Sequence, residues 1–390
     1  MANDSEWKPS DLPARHVVNY KLRYGENPDQ RTYATVEEGY NTILDWEQLW
    51  GMQLSFNNMH EFYKIRNLGK GFEKYVTAVI GKHGIVTGFC AIADEEKYKE
   101  AILKRINPHE EVLDNDSSLL QIAITKAHEC DPQADFGGII YLNRPCDLET
   151  AKVIGRRKKI PQSFFAEGVV CTEYSDKALT EFQTKQRAKK KGRPIRVMKE
   201  NFSIDYPLDI KHLGALSLPQ EHPDWSTPLD IPKLIKEDGR ESVYPTNMPP
   251  SFDDERLMEV GYLIAARTPS NAAINVDGVV VDGKVVAIWT NAIGTSTKRV
   301  GAARMAAYNH NDKTMIDQNR HWLSMSRIYP GKSILIHDGF TPFADGVEEQ
   351  VGVARSAMIP WGGKYYEQTH KVTKDHGIDL VRHKKRSFFH

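Results

Sequence analysis

At 390 residues the chain exceeds what one small core needs, and its 40% hydrophobic and 27% charged composition is that of a globular protein, with two domains the natural division. Lys plus Arg equal Asp plus Glu at 52 each, so no global charge draws the molecule to nucleic acid or to an anionic membrane. The polar start Met-Ala-Asn-Asp-Ser-Glu-Trp is not a secretory leader, no apolar run approaches the roughly 20 residues of a membrane span, and Cys90, Cys130, Cys146 and Cys171 form no Cys-x-x-Cys pair; they read as reduced thiols of a cytoplasmic protein.

In chain order, a loose N-terminal arm leads to Leu22-Arg23-Tyr24-Gly25-Glu26-Asn27-Pro28-Asp29-Gln30, a loop that packs a cation and an aromatic among turn-formers. A helix is expected from near Asn57 and Asn58 to Ile65. Tyr75 to Ile80 reads as a buried strand, because apolar and β-branched residues fill it without helical spacing. It ends in Gly81-Lys82-His83-Gly84. Asp94 to Arg105 is expected to be a helix, with acids in its first turn and bases in its last, and Asn115 to Ala127 a second, more buried one. Asp131-Pro-Gln-Ala-Asp-Phe136-Gly137-Gly138 leads into a strand from Ile139 to Leu142, and Asp147 caps a further helix. Between Arg156 and Arg196 the chain turns basic, but without the aromatic interleaving that base stacking needs, so the runs read as solvated faces.

Residues 206–250 carry Pro207, Pro219, Pro223, Pro228, Pro232, Pro245, Pro249 and Pro250 and mark a connection between a first α/β half, 1–205, and a second, 251–390. The second half restarts at Ser251, a cap before a helix over Glu255 to Ala266. Ala272 to Val276, Val279 to Val281 and Val285 to Thr290 read as strands, with Asp282-Gly283 a hairpin turn. Lys298 to Ala307 has helical character, and Ile334 to Ile336 is a short strand before His337-Asp338-Gly339-Phe340-Thr341-Pro342-Phe343. Alternating helix and strand in both halves places the fold in the α/β class.

The chemistry centres on Lys82-His83. Glycines on both sides allow a sharp turn at a strand end, where open α/β sheets place their sites. A fixed cation beside an imidazole supplies a charge and a group that exchanges a proton near neutrality.

Separated segments, taken together and in order, resemble the transformylase part of the bifunctional purine-biosynthesis enzyme, which formylates aminoimidazole carboxamide ribotide (AICAR) with 10-formyltetrahydrofolate. The family's Arg-Tyr-Gly-x-Asn-Pro-x-Gln loop matches Arg23 to Gln30, and its Ser-Tyr-Asn-Asn segment is similar to Ser55-Phe56-Asn57-Asn58. Its Lys-His turn matches Lys82-His83, and its Asp-Pro-x-x-x-Phe-Gly-Gly matches Asp131 to Gly138. Ser270-Asn271, Lys298-Arg299-Val300, Asp338-x-Phe340-x-Pro342-Phe343-x-Asp345 and the terminal Arg386-x-Phe388-x-His390 resemble the remaining signatures.

The resemblance implies two cytidine-deaminase-like three-layer α/β halves in one chain, a homodimer with shared sites, and a stand-alone module without the cyclohydrolase domain. It implies that His83 is the base, that Lys82 stabilises the oxyanion of the formyl carbon, and that Asn271 belongs to the catalytic set. Arg23 and Arg386 suit the ribose 5′-phosphate, where a guanidinium fork fits the oxygens; Tyr24, Asn58, Arg299 and His390 complete the ribotide side. Phe340 offers a face to the folate ring and Asp345 an acceptor for its N–H groups. No metal is expected.

Three stretches depart from the family and are expected to be ligand-facing loops: Gly84-Ile-Val-Thr-Gly88, the bulkier 287–297 with Trp289, and Pro360-Trp361-Gly362-Gly363-Lys364. Two other readings stand beside formyl transfer. A ribotide-binding regulator with an altered folate site would keep the arginines without turnover. A zinc deaminase would need Pro-Cys-x-x-Cys, whereas Pro145-Cys146 is followed by Asp-Leu-Glu.

Overall fold

The computed structural model describes residues 17–21, 26–27, 29–30, 32–37, 40–106, 113–131, 134–154, 165–185, 194–201, 208–213, 216–221, 230, 233, 251–268, 272–294, 333–340, 344–348, 350–351, 354–362, 364 and 366–383. Strands β1 (Val17–Lys21) and β2 (Tyr33–Glu37) pair as an antiparallel ribbon apart from the main sheet. The first half then supplies β3 (Glu47–Trp50), α1 (Phe56–Gly69), β4 (Tyr75–Lys82), β5 (Ile85–Ala93), α2 (Lys99–Ile106), α3 (Leu119–His128), β6 (Gly138–Leu142), α4 (Leu148–Ile154), β7 (Ala166–Cys171), α5 (Asp176–Lys185) and β8 (Arg196–Lys199). The proline-rich segment contains a hairpin of β9 (Leu208–Leu213) and β10 (Leu216–Glu221). The second half adds α6 (Phe252–Arg267), β11 (Ala273–Val281), β12 (Lys284–Gly294), β13 (Ser333–His337), α7 (Asp345–Glu348), β14 (Ala354–Pro360), α8 (Tyr366–Asp375) and β15 (Asp379–His383).

Strands of both halves form one sheet of 11, in the order β15-β14-β13-β11-β12-β5-β4-β6-β7-β8-β3. The halves meet edge to edge where β12 runs antiparallel to β5, with Ala287, Ile288 and Trp289 opposite Ile92, Ala91 and Cys90. Side chains alternate across the sheet, as the two-residue period of a strand requires. Val76, Ala78 and Ile80 of β4 point to the layer of α2, α3, α4 and α5, together with Trp289. Val79 of β4 and Phe89 of β5 point to α1 and α6, where Phe62, Ile65, Leu68, Leu257 and Tyr262 are buried. At the far end Ile334 and Ile336 face α6, while Leu335 packs with Val347, Ala357 and Leu380 on the opposite side. The result is a three-layer mixed α/β fold.

Local chemistry explains most boundaries. Ser55 and Asn58 form a reciprocal capping box that starts α1. Asp147 accepts from the Thr150 N–H at 2.7 Å ahead of α4, and Ser251 accepts from the Asp254 N–H at 3.2 Å ahead of α6. Asp282 (φ 50°) and Gly283 (φ 74°) form the left-handed two-residue turn of the β11–β12 hairpin.

Several expectations are corrected. Residues 84–88 are not a loop: Ile85 begins β5, whose apolar run pairs with β4 along its length. The stretch 287–294 belongs to β12, and Trp289 is 2% exposed within the core rather than on a ligand-facing loop. Asp94 to Arg105 is not one helix; a single tight turn over Glu96–Tyr98 precedes α2, so Asp94, Glu95 and Glu96 sit before it and only Glu100 lies in its first turn. The second helix starts only at Leu119, because Ser118 caps it by accepting from the Gln121 N–H at 3.1 Å. The two strands read at 272–276 and 279–281 are one continuous strand. The helix read over Lys298 to Ala307 lies outside the described residues. Among the described residues no helix is long and apolar enough to cross a membrane, and the four cysteines are buried free thiols.

Candidate active site

Strand register gathers the singled-out segments at one edge of the sheet. The β4–β5 hairpin turns there at His83 and Gly84, and the antiparallel pairing of Gly81 with Ile139 brings the start of β6, just after the Asp131–Gly138 segment, to the same edge. Because Trp289 lies opposite Cys90 in antiparallel register, the Gly294 end of β12 runs out beside the Ile85 end of β5. Ala273, which begins β11, pairs with Gly294 on one side and with His337, the last residue of β13, on the other. Parallel β14 and β15 end at Pro360 and His383 on this edge as well.

His83 adopts φ 55° and Gly84 φ 71°, the left-handed pair of a two-residue hairpin turn. A non-glycine residue at positive φ needs local support. Glu61 of α1 provides it: the His83 N–H donates to Glu61 Oε1 at 2.7 Å, and the imidazole Nδ1 lies 3.5 Å from the same oxygen. The ring itself is 79% exposed, open to a ligand. Burial pushes the Glu61 carboxyl above its usual range, opposed by the His83 N–H and by the charges of His83 and Lys82. Gly81 allows this approach of helix to strand, since a Cβ there would sit 2.0 Å from Ile65 Cδ1.

Lys82 turns towards the loop before β6, where its Nζ donates to the Phe136 carbonyl at 2.8 Å. Phe136, 41% exposed, packs its ring at 5.5 Å from that of Phe165. Beneath it Asp135 is fully buried; its Oδ2 lies 2.9 Å from His128 Nδ1, and the Thr87 hydroxyl donates to its Oδ1. Burial pushes the Asp135 carboxyl up to about 6, against the pull of His128 and Thr87.

Two further segments converge on this edge. The Asn57 side-chain amide donates to the Glu26 carbonyl at 3.1 Å, which ties Glu26 to the first turn of α1. In the second half the Ala272 N–H donates to Asp338 Oδ2 at 2.7 Å and the Asp338 N–H to the Ala272 carbonyl at 3.1 Å, so the residue after Asn271 is bonded to the start of the Asp338–Asp345 segment. Phe340 lies against Gly362 (φ 139°), where a Cβ would come within 2.9 Å of its ring. Trp361, next in sequence, donates its N–H to the His383 carbonyl at 2.7 Å and holds its ring 5.5 Å from that of His370 and 5.4 Å from the Arg382 guanidinium carbon.

Of the residues chosen from sequence, Lys82 and His83 stand side by side on the rim and Phe340 lies on the same edge. Asn58 is 4% exposed, and its Oδ1 accepts from the Ser55 N–H at 3.1 Å and hydroxyl at 2.8 Å, so its carbonyl serves the cap of α1. Asp345 opens α7. Arg23, Tyr24, Asn271, Arg299, Arg386 and His390 lie outside the described residues. Sequence reading missed Glu61, Asp135, His128, Arg382 and His370; only Asp135 carried a signal, as the carboxylate inside the Asp131–Gly138 segment. Among the described residues no group of three or more His, Cys, Asp or Glu is arranged to hold a metal ion.

Comparison with known proteins adds an independent finding. A profile of the AICARFT/IMPCHase bienzyme family matches residues 2–309. The chain is similar to the bifunctional purine biosynthesis protein PurH of Halalkalibacterium halodurans, 26% identical over 389 residues that cover 99% of this chain and 62% of that protein. PurH of Staphylococcus carnosus is 28% identical over 374 residues, 95% of this chain and 61% of that protein, and PurH of Magnetococcus marinus 26% identical over 398 residues, 100% of this chain and 64% of that protein. The chain thus spans somewhat over three fifths of the length of the curated relatives it matches.

Proposed function

The chain belongs to the AICARFT/IMPCHase bienzyme family, and from that membership we propose that it carries out the formyl-transfer step of purine biosynthesis, moving a formyl group from 10-formyltetrahydrofolate to the 5-amino group of AICAR. The observation that carries this reading is the pairing of an exposed imidazole with an anchored ammonium on the hairpin rim: Glu61 holds the His83 backbone and the Phe136 carbonyl holds Lys82 Nζ.

The amine of AICAR is a poor nucleophile, because its lone pair is delocalised into the ring and towards the carboxamide. As it attacks the formyl carbon, His83 takes its proton, a contribution of about 10²–10⁴-fold for a positioned base. The Lys82 ammonium stabilises the oxyanion that develops, worth about 10²–10³ in rate for such a donor. Collapse of the tetrahedral species breaks the bond to N10 of the folate, and His83 returns its proton to that nitrogen. Arg23 and Arg386 take the ribose phosphate with Tyr24, Asn58, Arg299 and His390 around the ribotide, Asn271 joins the catalytic set, and Phe340 and Asp345 take the folate. In this reading the protein works in the cytoplasm as a homodimer without a metal.

Incubation of the purified protein with AICAR and 10-formyltetrahydrofolate tests the proposal by the absorbance change of tetrahydrofolate release. Ring closure of formyl-AICAR to inosine monophosphate, monitored separately, distinguishes the cyclohydrolase half of the family's chemistry. Ribotide binding without turnover of either substrate would make the protein a ribotide-binding regulator instead.

A further inference from the structure

We propose that Asp135, buried between His128 and Thr87, is a positioning residue for Lys82, because it fixes the loop whose Phe136 carbonyl receives the ammonium. The role of Lys82 in this proposal rests on the formyl-transfer reading; the way Lys82 is held does not.

A lysine side chain has four rotatable methylenes, and an ammonium that must meet a developing oxyanion gains most when its direction is set beforehand. Among the described residues its partner is the Phe136 carbonyl, at 2.8 Å, between α3 and β6. That carbonyl is clamped from both sides. Asp135 N–H donates to the Asp131 carbonyl at 3.0 Å, the Gly138 N–H donates to the Asp135 carbonyl at 2.8 Å, and the Gly137 N–H donates to the Phe165 carbonyl at 2.8 Å. The Asp135 side chain then ties the loop to the two elements beneath it: His128, at the end of α3, at 2.9 Å, and the Thr87 hydroxyl on β5.

An anchor alone would not need a charge. A fully buried carboxylate is costly, and asparagine fills the same volume without that cost. The carboxylate accepts from the Thr87 hydroxyl and the imidazole N–H at once, whereas a protonated Asp135 presents a donor on one oxygen and breaks that symmetry. Burial raises the carboxyl to about 6, within reach of ordinary pH changes. The groups facing it are His128 and Cys130 from the end of α3, the Thr87 hydroxyl from β5, Asp131 of its own loop and, one residue on, the Lys82 ammonium of β4. Protonation of Asp135 therefore loosens the loop and frees Lys82.

Two readouts on wild type, D135N, D135A and H128A test this. The first needs no substrate: trace acetylation of amines by acetic anhydride in the ligand-free protein, quantified by peptide mass spectrometry against the exposed Lys371. D135A and H128A should raise the relative reactivity of Lys82 by about fivefold, and D135N by about twofold, as lost hydrogen bonds shift it to free rotamers. The second is kcat for formyl transfer between about pH 5 and about pH 8. Wild type should lose rate on the acid side with a midpoint at about 6. D135N should be about tenfold slower above that midpoint, keep only the acid limb that protonation of the base His83 imposes, and hold the ribotide KM within about twofold. Unchanged Lys82 reactivity in folded D135N overturns the proposal, and D135N alone decides if D135A or H128A does not fold. A wild-type protein without turnover whose Lys82 still responds to Asp135 overturns the formyl-transfer reading and leaves the positioning role standing.

Discussion

The Glu61 carboxylate on α1 grips His83 through its backbone, with the amide 2.7 Å from Oε1 and the imidazole Nδ1 3.5 Å from the same atom. The grip holds a left-handed backbone and leaves the ring free, the arrangement a base on a rim requires.

Replacing His83 by Ala should therefore lower kcat by at least about 10² while ribotide binding stays within a few-fold, because the base acts in the transition state. Glu61→Gln keeps an acceptor for the His83 N–H and should cost about tenfold or less, whereas Glu61→Ala leaves that donor without its acceptor and should cost about 1–3 kcal/mol of stability as well. Steady-state kinetics with isothermal titration of AICAR separates the effects. An unchanged kcat in His83→Ala would remove it from the base role.

Folate binding should be visible in fluorescence, with Trp361 rather than Trp289 reporting it. Trp289 is 2% exposed beneath the Lys126 ammonium, 5.2 Å from its ring, whereas Trp361 is only partly buried on the edge that carries Phe340. A folate analogue is expected to quench wild type more strongly than Trp361→Phe. Asp345→Ala should weaken that binding by about 1.5–3 kcal/mol, the range for a hydrogen bond to a charged group, and spare the ribotide. Titration that shows neither heat nor quenching in wild type would remove folate from the reaction.

His370 gives a pH signature. Burial, with the Arg382 charge beside it, holds its imidazole down to about 4 in the folded protein, below the ordinary 6.5 of a histidine. The unfolded chain thus binds this proton more readily, so the contribution to stability is complete above about 6.5 and lost as pH falls towards about 4. Thermal melts of wild type and His370→Gln should converge or cross over that window as pH drops, and parallel curves would contradict the shift. The half-buried ring makes the effect modest.

Assembly is the fourth expectation. A family site shared between subunits predicts a homodimer at micromolar protein in sedimentation velocity, with activity that falls on dilution. A strictly monomeric protein with full activity would overturn it.

What the sequence made legible was local. The Lys82-His83 turn, the Asp147 and Ser251 caps and the Asp282-Gly283 hairpin each follow from a few neighbouring residues whose side chains or backbone freedom determine the outcome. The first turn of the β4–β5 hairpin hides the start of β5: Gly84-Ile-Val-Thr-Gly88 stands where the family has a loop, yet Ile85 already begins the strand that runs to Ala93. Asp94, Glu95 and Glu96 imitate an acidic first turn, yet the helix starts at Lys99. Glu61 and Asp135 were not chosen because their partners are set by tertiary packing: His83 lies 22 residues from Glu61, and Thr87 lies 48 from Asp135. No periodicity encodes such distances.

The seam between β5 and β12 has a consequence for biosynthesis. Cys90 faces Trp289, so β5 leaves the ribosome 199 residues (289 minus 90) before its partner. Until then the nascent chain presents an apolar strand with one unpaired border, the surface on which other chains add and aggregation begins. Pairing so remote in sequence also slows the search for the native arrangement. Yield of soluble protein should therefore depend on chaperone supply and translation rate, and a chain stopped before Lys284 should collect in inclusion bodies even though most of its helices and strands are already encoded.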